Sequence, residues 1–174
     1  MATIFISFVH EDQGVAEAVQ HYLGRLELEE VAFLSSDTWQ MSAGEVWLDR
    51  IKQELTAAKI VILMLSKRSV VRPWVNFEAG GAWLMNKVII PVCYGNLAKD
   101  QLLAPYSTFQ ALDLKTERHY LLASVARHLG KPVPPPDGLR SIGELIGQPP
   151  PSPTQWFDLM YSIDGSLKTF VDEA

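Results

Sequence analysis

Hydrophobic and polar positions along the chain fall into blocks with two different periods. "TIFISFVH" is dense in Ile and Phe and predicts a first strand. In "EDQGVAEAVQHYLGRL" the apolar positions Val15, Ala18, Val19, Tyr22 and Leu26 recur at helical spacing, and Asp12 stands where an N-cap belongs. "VAFLS" predicts a short second strand, and "SDTWQMSAG" a polar loop. "EVWLDRIKQELTAA" returns to helical spacing through Trp47, Ile51, Leu55 and Ala58. "KIVILMLS" is an unbroken apolar run between polar flanks, the pattern of a strand buried on both faces of a parallel sheet. "VRPWVNFEAGGAWLMNK" predicts a third helix, with Pro73 in the first turn, where a missing N–H costs nothing. "VIIPVCYGN" predicts a fourth strand, although Pro91 has no N–H to give a ladder. "TFQALDL" predicts a fifth strand, and "TERHYLLASVARHLG" a closing helix capped by Thr116 and stopped at Gly130.

Strands alternating with helices at this rhythm predict stacked βαβ units with right-handed crossovers and helices on both faces of the sheet. The expected architecture is a three-layer α/β, flavodoxin-like fold with a five-stranded parallel sheet over residues 1–130. After Gly130 the pattern changes. "KPVPPPDG" and "GQPPPSP" are Pro-rich and cannot continue a packed element, so residues 131–174 read as a Pro-rich linker and C-terminal segment. Its end regains Trp156, Phe157, Met160 and Phe170, which are expected to pack on the domain or on a partner.

Composition narrows the function. The chain has 174 residues, 48% hydrophobic and 20% charged, which suits a globular domain with a real core. A net charge of −5 and the lack of any basic stripe argue against nucleic acid as a partner. One cysteine, Cys93, rules out an internal disulfide and reads as a buried small hydrophobe. The four histidines do not cluster with carboxylates at metal-ligand spacing, so no metal is expected. The N-terminus lacks signal-peptide character and "IVILMLS" is too short to span a bilayer, so a cytoplasmic protein without a membrane partner is expected.

In an open parallel sheet, ligands bind beyond the carboxyl ends of the strands. That rule selects "SFVHED", "SSDTWQMSAGEVW" and "SKRSVVRPWVNFE". The last contains an oddity: Glu78 lies among Trp74, Phe77, Trp83 and the pair Gly80–Gly81. A carboxylate in apolar company is costly unless something pairs with it or uses it. Trp74 and Glu78, four apart on a helix, share a face and would pair a flat apolar wall with a negative pole. Such a site suits a flat cationic ring joined to a sugar. Phe8, Trp39 and Trp47 are placed to add walls from neighbouring loops. The two glycines would let the helix backbone pack closely on the sheet and hold Glu78 at a set height. Simpler readings stand beside these. Trp74 and Trp83 can be core residues, Glu78 can favour an early helical turn through the dipole, Asp12 can be a cap, Ser7 structural and His10 a solvated loop residue. No phosphate-loop or Rossmann glycine motif is present.

These stretches, in this order, resemble a Toll/interleukin-1 receptor (TIR) domain over roughly residues 3–130. "IFISFVHED" is similar to the first family box. "FLSSDTWQMSAGEVWLDRIKQELTAAKIVILMLS" is similar to the strand, BB loop, helix and third strand. "SVVRPWVNFE" resembles the Ser…Trp-x-x-x-Glu signature, and "VIIPVCYG" the proline-containing fourth strand. Val75 stands where plant members usually carry Cys, and Trp39 and Met41 are unusual residue types for the BB loop.

The resemblance implies an activity. Many bacterial and plant TIR domains cleave NAD at the nicotinamide–ribose bond with the glutamate of that signature, which maps to Glu78. It implies an NAD glycohydrolase or ADP-ribosyl cyclase with NAD as substrate and no further cofactor. Glu78 would be catalytic, and Ser7, Phe8, His10, Ser36, Trp39, Trp47 and Trp74 would bind substrate, with the BB loop closing the site. The aromatic wealth of the loops favours a cyclic ADP-ribose isomer made as a signal. Compact bacterial TIR proteins of this kind look like sensors of anti-phage systems such as Thoeris, where the product reaches a separate effector and homo-oligomers form through TIR–TIR contacts. The alternatives are a non-catalytic TIR interaction scaffold and a nucleoside 2-deoxyribosyltransferase-like enzyme, which also directs a Glu at a ribosyl carbon.

Overall fold

A computed structural model describes residues 3–26, 33–35 and 47–133; of residues 33–35 and Trp47 only the backbone is described. The expectations for Ser36, Trp39 and the segment from residue 134 onward lie outside the described residues.

The chain folds as an α/β structure on a parallel sheet. Its strands are β1 (Ile4–Ser7), β2 (Phe33–Ser35), β3 (Ile60–Leu65), β4 (Val88–Cys93) and β5 (Leu112–Asp113). Its helices are α1 (Gln13–Leu23), α2 (Trp47–Ala57), α3 (Pro73–Leu84) and α4 (Leu114–His128). The strand order is β2-β1-β3-β4-β5, with every pairing parallel. In this order the connections from β1 and β3 leave in opposite directions, and the crevice between them is where such sheets bind ligands.

β3 is buried at all six positions and pairs on both edges, with β1 and with β4, which explains its unbroken apolar run. Alternate residues serve two layers. Phe5, Val61, Leu63, Leu65 and Cys93 join Ile51 and Leu55 of α2 and Val75, Ala79 and Ala82 of α3 in one apolar cluster. Ile4, Ile6, Ile60, Ile62 and Met64 point the other way, and the buried faces of α1 (Val19, Leu23) and α4 (Leu121, Leu122, Val125) lie outside that cluster. Each fully buried side chain of Val or Leu size contributes about 1.5–3 kcal/mol. These two layers therefore dominate the stability of the domain.

The fourth strand is borne out, and several other local expectations are corrected. Pro91 sits inside a continuous β4, opposite Leu63. It is tolerated because β5 pairs only with Val92 and Cys93, so Pro91 has a strand on one side alone. β5 itself is two residues long, since residues 106–108 form a turn in which Thr108 donates to the Pro105 carbonyl. The cap of α4 is Asp113, not Thr116: its Oδ1 accepts from the N–H groups of Lys115 and Thr116. Glu117 closes the cap reciprocally by accepting the Asp113 N–H. Trp83 is 65% exposed and is not a core residue.

The glycines of α3 also differ from expectation. A Cβ on Gly81 would lie 3.2 Å from Leu55 Cδ2, so this glycine serves the approach of α2, not of the sheet. Gly80 is exposed, with open space above it. Gly80→Ala is expected to stabilise the domain by up to about 1 kcal/mol, through helix propensity and a smaller unfolded-state entropy. Gly81→Ala must displace Leu55 and should gain less or lose. Thermal melts of the two variants decide this, and a larger gain at Gly81 would refute the packing account.

The α4 cap generates a pH prediction. The Lys99 ammonium, followed by the Asp113 N–H, holds the Glu117 carboxyl below its ordinary value. A lowered folded-state value adds stability that is present above the unfolded value, about 4.3, and is lost on acidification. Glu117→Gln should therefore melt lower than the parent at neutral pH. Their melting temperatures should converge below about pH 4, and a constant difference across that range would contradict the assignment.

Candidate active site

α3 begins where the sequence placed it. Arg72 is extended before Pro73, as residues preceding proline are, and Pro73 occupies the first turn. Val75, Glu78, Ala79 and Ala82 are the buried residues of α3, at the spacing of one helical face. Glu78 thus occupies a position in a core-facing stripe, and it is 0% exposed. Its Oε1 accepts the indole N–H of Trp74 at 2.9 Å, one turn earlier on the same helix. Removing one partner from a buried hydrogen bond of this kind costs about 1–3 kcal/mol. The oddity in the sequence has a physical resolution: the carboxyl is inside the fold and is met by a donor from an aromatic wall.

Trp74 is half-buried and stacks on Phe77, with ring centroids 5.2 Å apart and an interplanar angle of 27°. Phe77 is itself 61% exposed. Trp74 is therefore partly open to solvent, whereas the carboxyl it binds is sealed. A ligand reaches Glu78 only after side chains around it move.

The other expected site residues divide. Ser7 ends β1 and is fully buried, two residues from Phe5 and so on the face that α3 covers. Its hydroxyl has no hydrogen-bond partner among the described residues. Phe8 is 2% exposed and belongs to the interior, so it offers no open wall as the structure stands. His10 is exposed on a short turn after β1, as a loop residue would be. Trp47 opens α2, and its side chain is outside the described residues, as are Ser36 and Trp39. Glu78, Trp74 and Ser7 thus lie on one side of the sheet.

A second group of residues was not expected to act together, although Asp12 was read as an N-cap. Asp12 stands at the head of α1 but makes no side-chain cap. Its Oδ2 instead accepts from the Tyr94 hydroxyl and from Ser66 Oγ, at 2.5 and 3.1 Å. Ser66 and Ser69 lock each other. The Ser66 N–H donates to Ser69 Oγ at 2.7 Å, the Ser69 N–H donates to Ser66 Oγ at 3.1 Å, and Ser69 Oγ donates to the Met64 carbonyl at 2.8 Å. Burial, then the bond to Asp12, pushes the Tyr94 hydroxyl far above its ordinary range, so it stays a donor. At the rim, Arg72 donates to Glu11 Oε1 at 2.6 Å. The Glu11 carboxyl lies below its usual value through a backbone hydrogen bond, with Arg72 adding to the effect. Asn76 fixes the first turn of α3 by donating to the Arg72 carbonyl and accepting from the Tyr106 hydroxyl. Burial pushes that hydroxyl up to about 12. Ser66 and Ser69 lie in the stretch after β3 that the strand-end rule selected, and Tyr94 directly follows β4, where the same rule would have found it.

Among the described residues no helix is long and apolar enough to cross a membrane. Comparison with known proteins agrees with the geometry. The family model of the TIR domain matches residues 4–129. The chain is similar in fold to a metazoan TIR-STING receptor from C. gigas, with a TM-score of 0.54 and 20% identity. That alignment covers 75% of this chain but 41% of the receptor chain, so this protein spans well under half the length of that relative. It also aligns with the TIR domains of the activated Roq1 resistosome, which recognises the pathogen effector XopQ. Identity there is 9% and the TM-score 0.43, over 99% of this chain and 92% of that one. No curated relative matches. The family match covers most of the sequence and agrees with a parallel α/β sheet carrying Trp-x-x-x-Glu on α3: the chain belongs to the TIR domain family.

Proposed function

We propose that the protein cleaves NAD at the nicotinamide–ribose bond, with Glu78 as the catalytic residue. One observation carries this reading: a fully buried carboxyl, held by an indole N–H at 2.9 Å, on the helix that follows β3. The family supplies the precedent, since TIR domains include NAD-cleaving enzymes as well as scaffolds.

The chemistry needs little else. Cleavage of a glycosidic bond passes through an oxocarbenium-like state, with positive charge on the sugar. Ordinary glycosidases use a second carboxyl to protonate the leaving oxygen. The leaving group of NAD is a cationic pyridinium, which takes the bonding electrons and departs as neutral nicotinamide. One carboxylate facing the sugar carbon and its hydroxyls can then suffice. Trp74 would pack on the nicotinamide or ribose once its ring shifts from the resting contact with Glu78. Water at the ribosyl carbon gives ADP-ribose and a proton. Attack by the molecule's own adenine or by a ribose hydroxyl gives a cyclic isomer, again with loss of a proton. We assign the cyclic product as a signal in bacterial anti-phage defence of the Thoeris type, made in the cytoplasm and read by a separate effector, with TIR–TIR homo-oligomers forming on activation.

A non-catalytic scaffold is the second reading, favoured by one specific feature. The outer face of α3 presents Phe77, Trp83 and Leu84, each at least 61% exposed. An apolar helix face of this kind suits a protein partner. Assembly and catalysis are compatible on one helix, so nicotinamide release, not association, separates the readings.

Incubation of the full chain with NAD is expected to release nicotinamide, and mass spectrometry of the other product identifies the acceptor. Glu78→Gln should lower the rate by about 10²–10³ while the protein stays folded. Near-normal turnover in a folded Glu78→Gln variant removes Glu78 from the chemistry. Trp74→Phe keeps an aromatic ring but removes the indole hydrogen bond to Glu78, so the domain should lose about 1–3 kcal/mol and turnover should fall. Unchanged melting together with full activity would dismiss Trp74 from the site.

A further inference from the structure

We infer that Asp12 and Tyr94 are positioning residues, forming with Ser66 a clamp that sets α3, and thereby Glu78, against the end of β1. The consequence for turnover rests on the NAD-cleaving reading above, whereas the clamp itself is a matter of geometry.

Asp12 gives up the role its place in the sequence suggests. At the head of α1 a capping side chain is worth about 1 kcal/mol, yet its carboxylate turns away from the α1 N–H groups. It binds two hydroxyls instead, from residues 54 and 82 positions away. Those two residues directly follow β3 and β4, and Asp12 lies just beyond β1. One carboxylate oxygen therefore ties together the ends of three adjacent strands, on both sides of the β1/β3 crevice. Such ties between distant segments are the ones that set relative position, because local backbone geometry cannot.

What the clamp holds is the segment from Ser66 to Arg72, which leads straight into α3. Its start is bound by Asp12 and its end by Glu11, the preceding residue. The Ser66–Ser69 pair stiffens its first turn, and the Arg72 N–H donates to the Ser69 carbonyl. Two successive acids after β1 thus grip both ends of the connection that carries Glu78. The Glu11 contact is exposed and contributes little. The Asp12 contact is half-buried and has two donors. Tyr94, half-buried and held as a donor, is the partner whose deletion is cleanest, since Phe retains its ring.

The test uses the full chain, with two independent readouts. In Tyr94→Phe, amide hydrogen exchange over residues 8–13 and 66–78 is expected to speed up, while exchange in α4 stays as in the parent. Nicotinamide release should fall about tenfold in kcat with KM within about twofold, as displacement of a reacting group predicts. In a Glu78→Gln background the same change should alter the residual rate less than about twofold, because the clamp acts through Glu78. Asp12→Asn keeps an acceptor for both hydroxyls and should restore near-parental exchange, whereas Asp12→Ala should not. This pair also decides the matter if Tyr94→Phe does not fold. Unchanged exchange over 66–78 in both Tyr94→Phe and Asp12→Ala overturns the clamp. Faster exchange with unchanged kcat overturns its positioning role, as does full multiplicativity with Glu78→Gln. A parent protein that releases no nicotinamide sinks the proposed reaction alone, and the exchange arm still judges the clamp.

Discussion

A carboxyl group inside an apolar core is the constraint around which this domain is arranged. Glu78 occupies a core-facing stripe whose other members are Val75, Ala79 and Ala82, all aliphatic. A donor held at its oxygen offsets the cost of that burial, and Trp74 supplies one because residues four apart on a helix meet. The helix must also be held still, or the donor and the wall would drift together. Three devices do this: Pro73 starts α3 after an extended Arg72, Asn76 ties its first turn to Tyr106, and Gly81 lets α2 approach to contact.

The sheet contributes the second half of the arrangement. β3 is central, with parallel neighbours on both edges, so its end is held from both sides. The polar residues just beyond it, Ser66 and Ser69, satisfy one another and Asp12, and no water is needed to bridge them. Polar networks of this kind specify one arrangement because each lost bond strands a buried group. Rigid scaffold and sealed carboxyl are consistent with a site that works only after a local rearrangement. The partly exposed Trp74–Phe77 stack is the side of Glu78 with the least packing to lose.

The two faces of α3 differ in kind. The inner one carries the candidate chemistry and the outer one carries Phe77, Trp83 and Leu84. Between Arg72 and Lys87 the only charged residue is Glu78, and it points inward, so the outer face is apolar and uncharged. Stacking of Phe77 on Trp74 connects that face with the site. Whatever covers the outer face also bears on the ring that binds Glu78.

The layer architecture is legible in the order and period of the apolar blocks. Period and block length separate strands from helices, and the unbroken run of β3 implies burial on both faces. It also placed Trp74 and Glu78 together, because i to i+4 geometry is local and needs no tertiary information. The remaining features arise from contacts between distant segments. Asp12 looked like a cap and is a tie between strand ends, because its partners are 54 and 82 residues distant. Trp83 looked like core and faces outward, and Gly81 serves α2 and not the sheet, since which side of a helix meets which neighbour depends on how layers stack. Local spacing encodes faces, but burial and long-range hydrogen bonds exist only once distant segments share the same space.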